Sequence, residues 1–202
     1  MLPLSVPPRE IEATLWTTGQ TRIAGVDEAG RGCLAGPVVA GAVVLPPGLR
    51  IEGVQDSKVL SPAQRERALR HILSEAVAVG IGLCTPEEID QLNILHAAME
   101  AMRRAVEALD SPVDAVLVDG NRLFPDPPAP AQAIVKGDRH VHAIAAASVV
   151  AKVTRDRMML QLDSVEPAYG FAQHKGYPTK AHYAALHEHG PSAFHRRSFR
   201  LS

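Results

Sequence analysis

Two runs of small and β-branched residues, RIAGVDEA at 22–29 and VVAGAVVL at 38–45, flank a Gly- and Pro-bearing stretch that includes RGCLAGP. Such runs read as strands, and the turn chemistry between them permits a hairpin. A hairpin of this kind commits the chain to a sheet that something else must cover. The covering elements are legible further on. Ser61-Pro62 is a helix start, followed by a stripe of Leu69, Ile72, Leu73 and Ala76, and AVAVGIGLC at 76–84 again looks like a strand. Thr85-Pro86 opens another helix. Its successor carries Ile94, Leu95, Ala98, Met99, Met102, Val106 and Leu109 at helical spacing. A short strand at 114–119 (DAVLVD), the loop LFPDPPAP, a strand near 132–135 and an Ala-dense helix at about 141–164 complete the alternation. Strands alternating with amphipathic helices predict an α/β fold, a mixed β-sheet flanked by helices. With 202 residues and 46% hydrophobic side chains, one domain over 21–202 is expected after an N-terminal extension of residues 1–20.

Acidic residues fall at the ends of these strands: Asp27 and Glu28 in VDEAGRG, Asp119 in LVDGN, and Asp138 in VKGDR. Ends of neighbouring strands converge, so such carboxylates can meet, and their repulsion then calls for a cation. Oxygen donors without cysteine favour Mg²⁺ or Mn²⁺. Two such ions, roughly 3.5–4 Å apart, serve in-line phosphodiester cleavage. Alone, an Asp before Gly is a turn former. The Asp27-Glu28 pair is harder to dismiss, because a regular strand sends one carboxylate to each face. It follows that the strand ends or distorts at Glu28, or that Glu28 serves a second ion or acts through its carbonyl.

Ordered blocks make the pattern specific: VDEAGRG, DSK at 56–58, LNILHAAM at 92–99, DGN at 119–121, VKGD at 135–138, AAASVVAKVTRD at 145–156, YGFAQHKGYPT at 169–179 and HRRSF at 195–199. Over about residues 20–200 the chain resembles the bacterial type 2 ribonuclease H family. The resemblance implies a ribonuclease H-like fold with a small C-terminal helical portion. It implies an endonuclease that hydrolyses the RNA strand of RNA–DNA hybrids, cuts 5′ of single ribonucleotides in duplex DNA, and leaves 5′-phosphomonoesters, in ribonucleotide removal. It also implies that Asp27, Glu28, Asp119 and Asp138 form the metal site for Mn²⁺ or Mg²⁺. Asp156 is the rival for the fourth place, although Lys152, four residues earlier on the predicted helix, offers it a partner.

By the same resemblance the backbone of Gly30-Arg31-Gly32 bonds the ribose 2′-hydroxyl, since glycine allows close backbone approach. Tyr177 in KGYPT is placed on the sugar at the junction, ahead of Tyr169. Lys58, Lys175, Arg196 and Arg197 are candidates for phosphate contacts. Val59 departs from the family's pattern, which often has a second basic or polar residue there, and this implies weaker phosphate contact through that loop. Two other classes stand beside this reading: a binding module that does not use the metals, and another two-metal phosphotransferase.

Net charge of −1 announces no polyanion partner, but residues 171–202 carry Lys175, Lys180, Arg196, Arg197 and Arg200 against Glu188 alone. Cys33 and Cys84 make no metal or disulfide pattern, and no long apolar run occurs, so a cytoplasmic protein with no membrane association is expected; a monomer is expected as well, although nothing in the sequence fixes the oligomeric state. Zinc at His140/His142 or His187/His189 is disfavoured, because i, i+2 spacing does not align side chains on a helix.

Overall fold

The computed structural model describes residues 10–202; the prolines of the first nine residues lie outside it. Five strands form one sheet: β1 (Ile23–Ala29), β2 (Val38–Val44), β3 (Ala78–Cys84), β4 (Ala115–Asp119) and β5 (Ala131–Ile134), in the order β3-β2-β1-β4-β5. The first three pair antiparallel, so the 22–45 region is the expected hairpin, while β1, β4 and β5 run parallel. The sheet is therefore mixed, and the class is α/β.

Helix α1 (Glu10–Thr17) lies in the stretch read as an N-terminal extension. It is followed by α2 (Pro62–Glu75), α3 (Pro86–Leu92), α4 (Ile94–Glu107), α5 (His142–Val165), α6 (Phe171–His174) and α7 (Lys180–His189). Ser61 and Thr85 each close a capping box with the residue three positions on, and a proline follows in the first turn. Asn93, at φ 65°, separates α3 from α4 and caps the latter through its side chain.

α4 lays Ala97, Ala98, Ala101, Met102, Ala105 and Val106 over one face of the sheet, against Val26, Val38, Val116 and Val118. α5 covers the other face. Its first ten residues are all buried, because α5 lies between the sheet and α2. The Ala-dense sequence is what permits this. A Cβ on Gly25 of β1 would stand 2.1 Å from the Ala143 carbonyl carbon, so strand and helix touch backbone to backbone. α1 packs Ile11, Leu15 and Trp16 beside the start of α5, and the buried Glu12 carboxylate accepts from the His142 and Ala143 N–H groups, each at 3.2 Å. An acid there satisfies donors that every helix N-terminus leaves open.

Among the described residues no helix is long and apolar enough to cross a membrane. Cys33 and Cys84 are buried free thiols. α6 and α7 make up the small C-terminal helical portion.

Candidate active site

Parallel pairing of β1 with β4 ends at Val26 opposite Val118, so the next residues, Asp27 and Asp119, emerge side by side from the same edge. β1 does not stop there. Its pairing with β2 continues through Asp27, Glu28 and Ala29. The strand is thus regular across the acidic pair and sends the two carboxylates to opposite faces, Asp27 toward α5 and Glu28 toward α4. Of the alternatives left open by the sequence, the ending or distortion of the strand at Glu28 is the one this geometry removes. Glu28 lines a shallow pocket with Leu95, Met99, Met102 and Asp119.

Asp119 lies in reach of both. Asp27 is held well above the usual carboxylate range, first by burial and then by the charges of Glu28 and Asp119. Burial also raises Glu28, with Asp119 adding to it and Arg31, 3.3 Å away, opposing it. Asp119 Oδ1 accepts from the Gly137 N–H at 2.6 Å and so anchors the 3₁₀ turn Gly137–Arg139. That turn brings in Asp138, which is 4% exposed and raised by burial and by the charges of Asp56 and Asp119.

The strands and this turn therefore bring Asp27, Glu28, Asp119 and Asp138 to one edge. Each carboxylate points at its own local partner. Asp27 Oδ1 accepts from the Glu28 N–H at 2.7 Å, Glu28 meets Arg31, Asp119 holds Gly137, and Asp138 Oδ2 lies 3.7 Å from Lys58 Nζ. Among the described residues no three His, Cys, Asp or Glu side chains stand close enough to enclose an ion as they are. The donor set nonetheless fits a divalent cation: these are hard oxygen donors, and three of the four are raised by burial together with their neighbours' charges.

Asp56 was not singled out from the sequence, although it opens the DSK block. It is buried, its side chain accepts from the Lys58 N–H at 2.9 Å, and it pairs with Arg139 at 3.7 Å. Partial burial works against the Lys58 charge, but Asp27, Asp56, Asp138 and Asp119 together hold its ammonium above the usual lysine range. The Ser57 hydroxyl bonds Ser148 at 2.7 Å and so ties this turn to α5. Asp156 stands apart, with Lys152 Nζ at 2.7 Å and Arg65 at 3.7 Å, the i, i+4 pairing anticipated from the sequence.

The segment after β1 is supported from below. Arg155, on α5 and 0% exposed, donates to the carbonyls of Ala35, Pro37 and Lys175 at 2.9–3.0 Å. Arg196 does likewise, to Gly36 and Arg31. The phosphate contact expected of Arg196 does not hold, since its guanidinium is 0% exposed and spent on backbone carbonyls. Arg197 is exposed, with its guanidinium on the carbonyls of Pro191 and Ser192. Lys175 is half-buried and its ammonium reaches the Ala172 carbonyl.

Gly30 and Gly32 differ. Gly30 has φ +99°, and a Cβ there would meet Arg155 Nε at 2.1 Å, whereas a Cβ on Gly32 would meet nothing within 4 Å. Tyr177 is 39% exposed, and the Leu34 N–H bonds the Gly176 carbonyl beside it at 2.8 Å. The glycine turn and the tyrosine thus form one surface. Tyr169 is buried, stacked on Phe171 with its hydroxyl on the Gly190 carbonyl, and is structural. His142 and His140 belong to a helix and a 3₁₀ turn end, and His187 and His189 to α7, as the argument against zinc requires.

Helices on both faces of a mixed sheet, with acids gathered at the edge where β1 and β4 run parallel, define an α/β enzyme of the ribonuclease H class. The ribonuclease HII family model matches residues 24–202. A ribonuclease HII of Salinibacter ruber is 53% identical over 193 residues, covering 94% of this chain and 96% of that protein. Among solved structures, ribonuclease H2 from Pyrococcus horikoshii superposes with a TM-score of 0.70 at 27% identity, covering 89% of this chain and 94% of the other. Bst-RNase HIII in complex with Mn²⁺ shares the fold at a TM-score of 0.63 and 16% identity, over 90% of this chain and 68% of that one. The chain belongs to the ribonuclease HII family. It is a ribonuclease H, a divalent-metal-dependent nuclease that hydrolyses the RNA strand of RNA–DNA hybrids.

Proposed function

We propose that Asp27, Glu28, Asp119 and Asp138 hold two divalent ions, Mn²⁺ or Mg²⁺, at the β1–β4 edge, and that the enzyme also cuts duplex DNA 5′ of single embedded ribonucleotides. The observation that carries this reading is the parallel register that sets Asp27 beside Asp119, with Asp138 tied to the same point through Gly137. Bound divalent ions supply Lewis-acid polarisation of the phosphodiester and a nucleophilic water at neutral pH. The protein's own part is to deliver ionised carboxylates. Burial and mutual repulsion resist ionisation of Asp27, Glu28 and Asp138, so the cation and the charges must arrive together.

Lys58, with 76% of its side chain exposed above Asp138, is a phosphate contact beside the acids. Gly32, open to approach, offers backbone to the 2′-hydroxyl, and the exposed Tyr177 ring meets the sugar at the junction. Arg197 and Lys175 extend the duplex contact. A monomer is the proposed acting form. The test is a labelled duplex with one ribonucleotide, incubated with Mn²⁺ or Mg²⁺ beside an all-DNA control. Asp119→Asn should keep the fold and hybrid binding but lose at least about a hundredfold in cleavage. Asp138→Asn should lose comparably and Asp156→Asn far less. Parental rates for Asp119→Asn across a metal titration would reject the site, and equal losses at positions 138 and 156 with equal melting would bring Asp156 into it.

A further inference from the structure

Away from the acidic edge, His195 and His182 form a buried chain of hydrogen bonds beneath Tyr177, with His174 stacked on His182. His182 is 0% exposed, His195 2% and His174 9%. Their partners dictate where each proton sits. The Ser192 N–H donates to His195 Nδ1 at 3.0 Å, so the His195 proton is on Nε2. His195 Nε2 and His182 Nε2 are 3.0 Å apart, and that contact needs one proton, which His195 supplies. His182 Nε2 therefore accepts. Its own proton is on Nδ1, 2.9 Å from the Tyr177 carbonyl, to which it donates. Independently, the Gly176 N–H donates to His174 Nδ1 at 3.2 Å, and His174 Nε2–H donates to the Tyr169 carbonyl at 2.8 Å. The His174 and His182 rings stack with centroids 4.3 Å apart.

Together with the Leu34 N–H on the Gly176 carbonyl and the Tyr177 N–H on the His174 carbonyl, every backbone polar group of Gly176 and Tyr177 is engaged. We propose that His195 and His182 are positioning residues: by committing His182 to the Nδ1–H tautomer they hold the carbonyl of the Tyr177-Pro178 peptide, which also accepts from the Thr179 N–H at 2.9 Å, and so steady the backbone that carries the ring meeting the ribonucleotide junction. This rests on the reading of Tyr177 given above. A second proton on His182 would face the His195 N–H, and one on His195 would face the Ser192 N–H, each at 3.0 Å. Burial and the neighbouring His182 press His195 down to about 4, which keeps the pair neutral in the working range.

Nitrogen-resolved NMR of the whole protein should find His182 as Nδ1–H and His195 as Nε2–H; an Nε2–H His182 overturns the relay whatever the kinetics show. On the single-ribonucleotide duplex, His195→Phe should lower kcat/KM about tenfold with the Mn²⁺ titration midpoint unmoved. His195→Gln, which keeps a donor at the Nε2 position, should restore most of it. In a Tyr177→Ala background, His195→Phe should cost nothing more, because both act through one ring. Additive losses, or no rescue by Gln in a protein that melts normally, would overturn the proposal. If Tyr177→Ala alone cleaved at the parental rate, the reading of Tyr177 would fall and the positioning role with it, an outcome that this single variant isolates.

Discussion

At the scale of single residues, Gly30 and Gly32 look interchangeable in GRG but carry different constraints. Gly30 combines φ +99° with the Arg155 side chain pressed against the space a Cβ would fill. Gly30→Ala should therefore cost about 1–3 kcal/mol of stability, seen as an earlier urea midpoint. Gly32→Val has open space and ordinary backbone, so it should unfold as the parent does and yet lose discrimination for the embedded ribonucleotide. Matching urea midpoints for the two variants would remove this distinction. The acids show the limits of reading residues singly. Asp27, Glu28, Asp119 and Asp138 were visible as carboxylates at strand ends, and the resemblance named their role. Asp56 was not, because nothing in DSK says that its aspartate folds back onto the Lys58 N–H and joins the same field.

At the scale of elements, α5 does two jobs along one helix: its Ala-dense first half fills the core, and its second half raises Arg155 into the loop after β1. The carbonyls that Arg155 binds, on Ala35, Pro37 and Lys175, lie outside the five strands and the helices. Arg155→Met keeps the volume and removes the donors, so it should destabilise by about 3–5 kcal/mol, as expected when buried charge and carbonyls lose their bonds. Thermal and urea unfolding would read it, and a parental melting curve would show that the loop stands unaided. The strands and helices themselves were legible, since β-branched runs, capping pairs such as Ser61 with Gln64, and the α4 stripe declare themselves locally. Arg155 and Arg196 were not, because sequence offers no sign that an arginine faces carbonyls rather than phosphate. The histidines 174, 182 and 195 escaped for the same reason: their pairings are set by α6, α7 and the loop before Arg196 meeting in space.

For the molecule as a whole, the acidic edge opposes the fold that builds it. Asp27, Glu28 and Asp138 are raised in the folded chain, so their ionisation weakens folding at neutral pH, and stability should recover as pH falls through those raised values. Metal-free Asp27→Asn should accordingly melt above the parent at pH 7.5, by roughly 2–4 °C per kcal/mol relieved. Adding Mn²⁺ at about a hundredfold excess over Kd should raise the parent by about 2.7 kcal/mol and the variant by much less. Scanning calorimetry with and without chelator decides this, and a variant that melts lower than the parent would contradict it. His195 works in the other direction: depressed to about 4, it withdraws stability as pH falls from about 6.5 toward that value. The contact between Arg196 and Gly36 joins positions 160 residues apart. A ribosome that has delivered residues 10–165 has already made every carboxylate of the edge, while the loop after β1 still waits for its distant clamp. If the four acids hold metal and this loop reads ribose, as proposed, the groups for the first are all made before the contact that steadies the second.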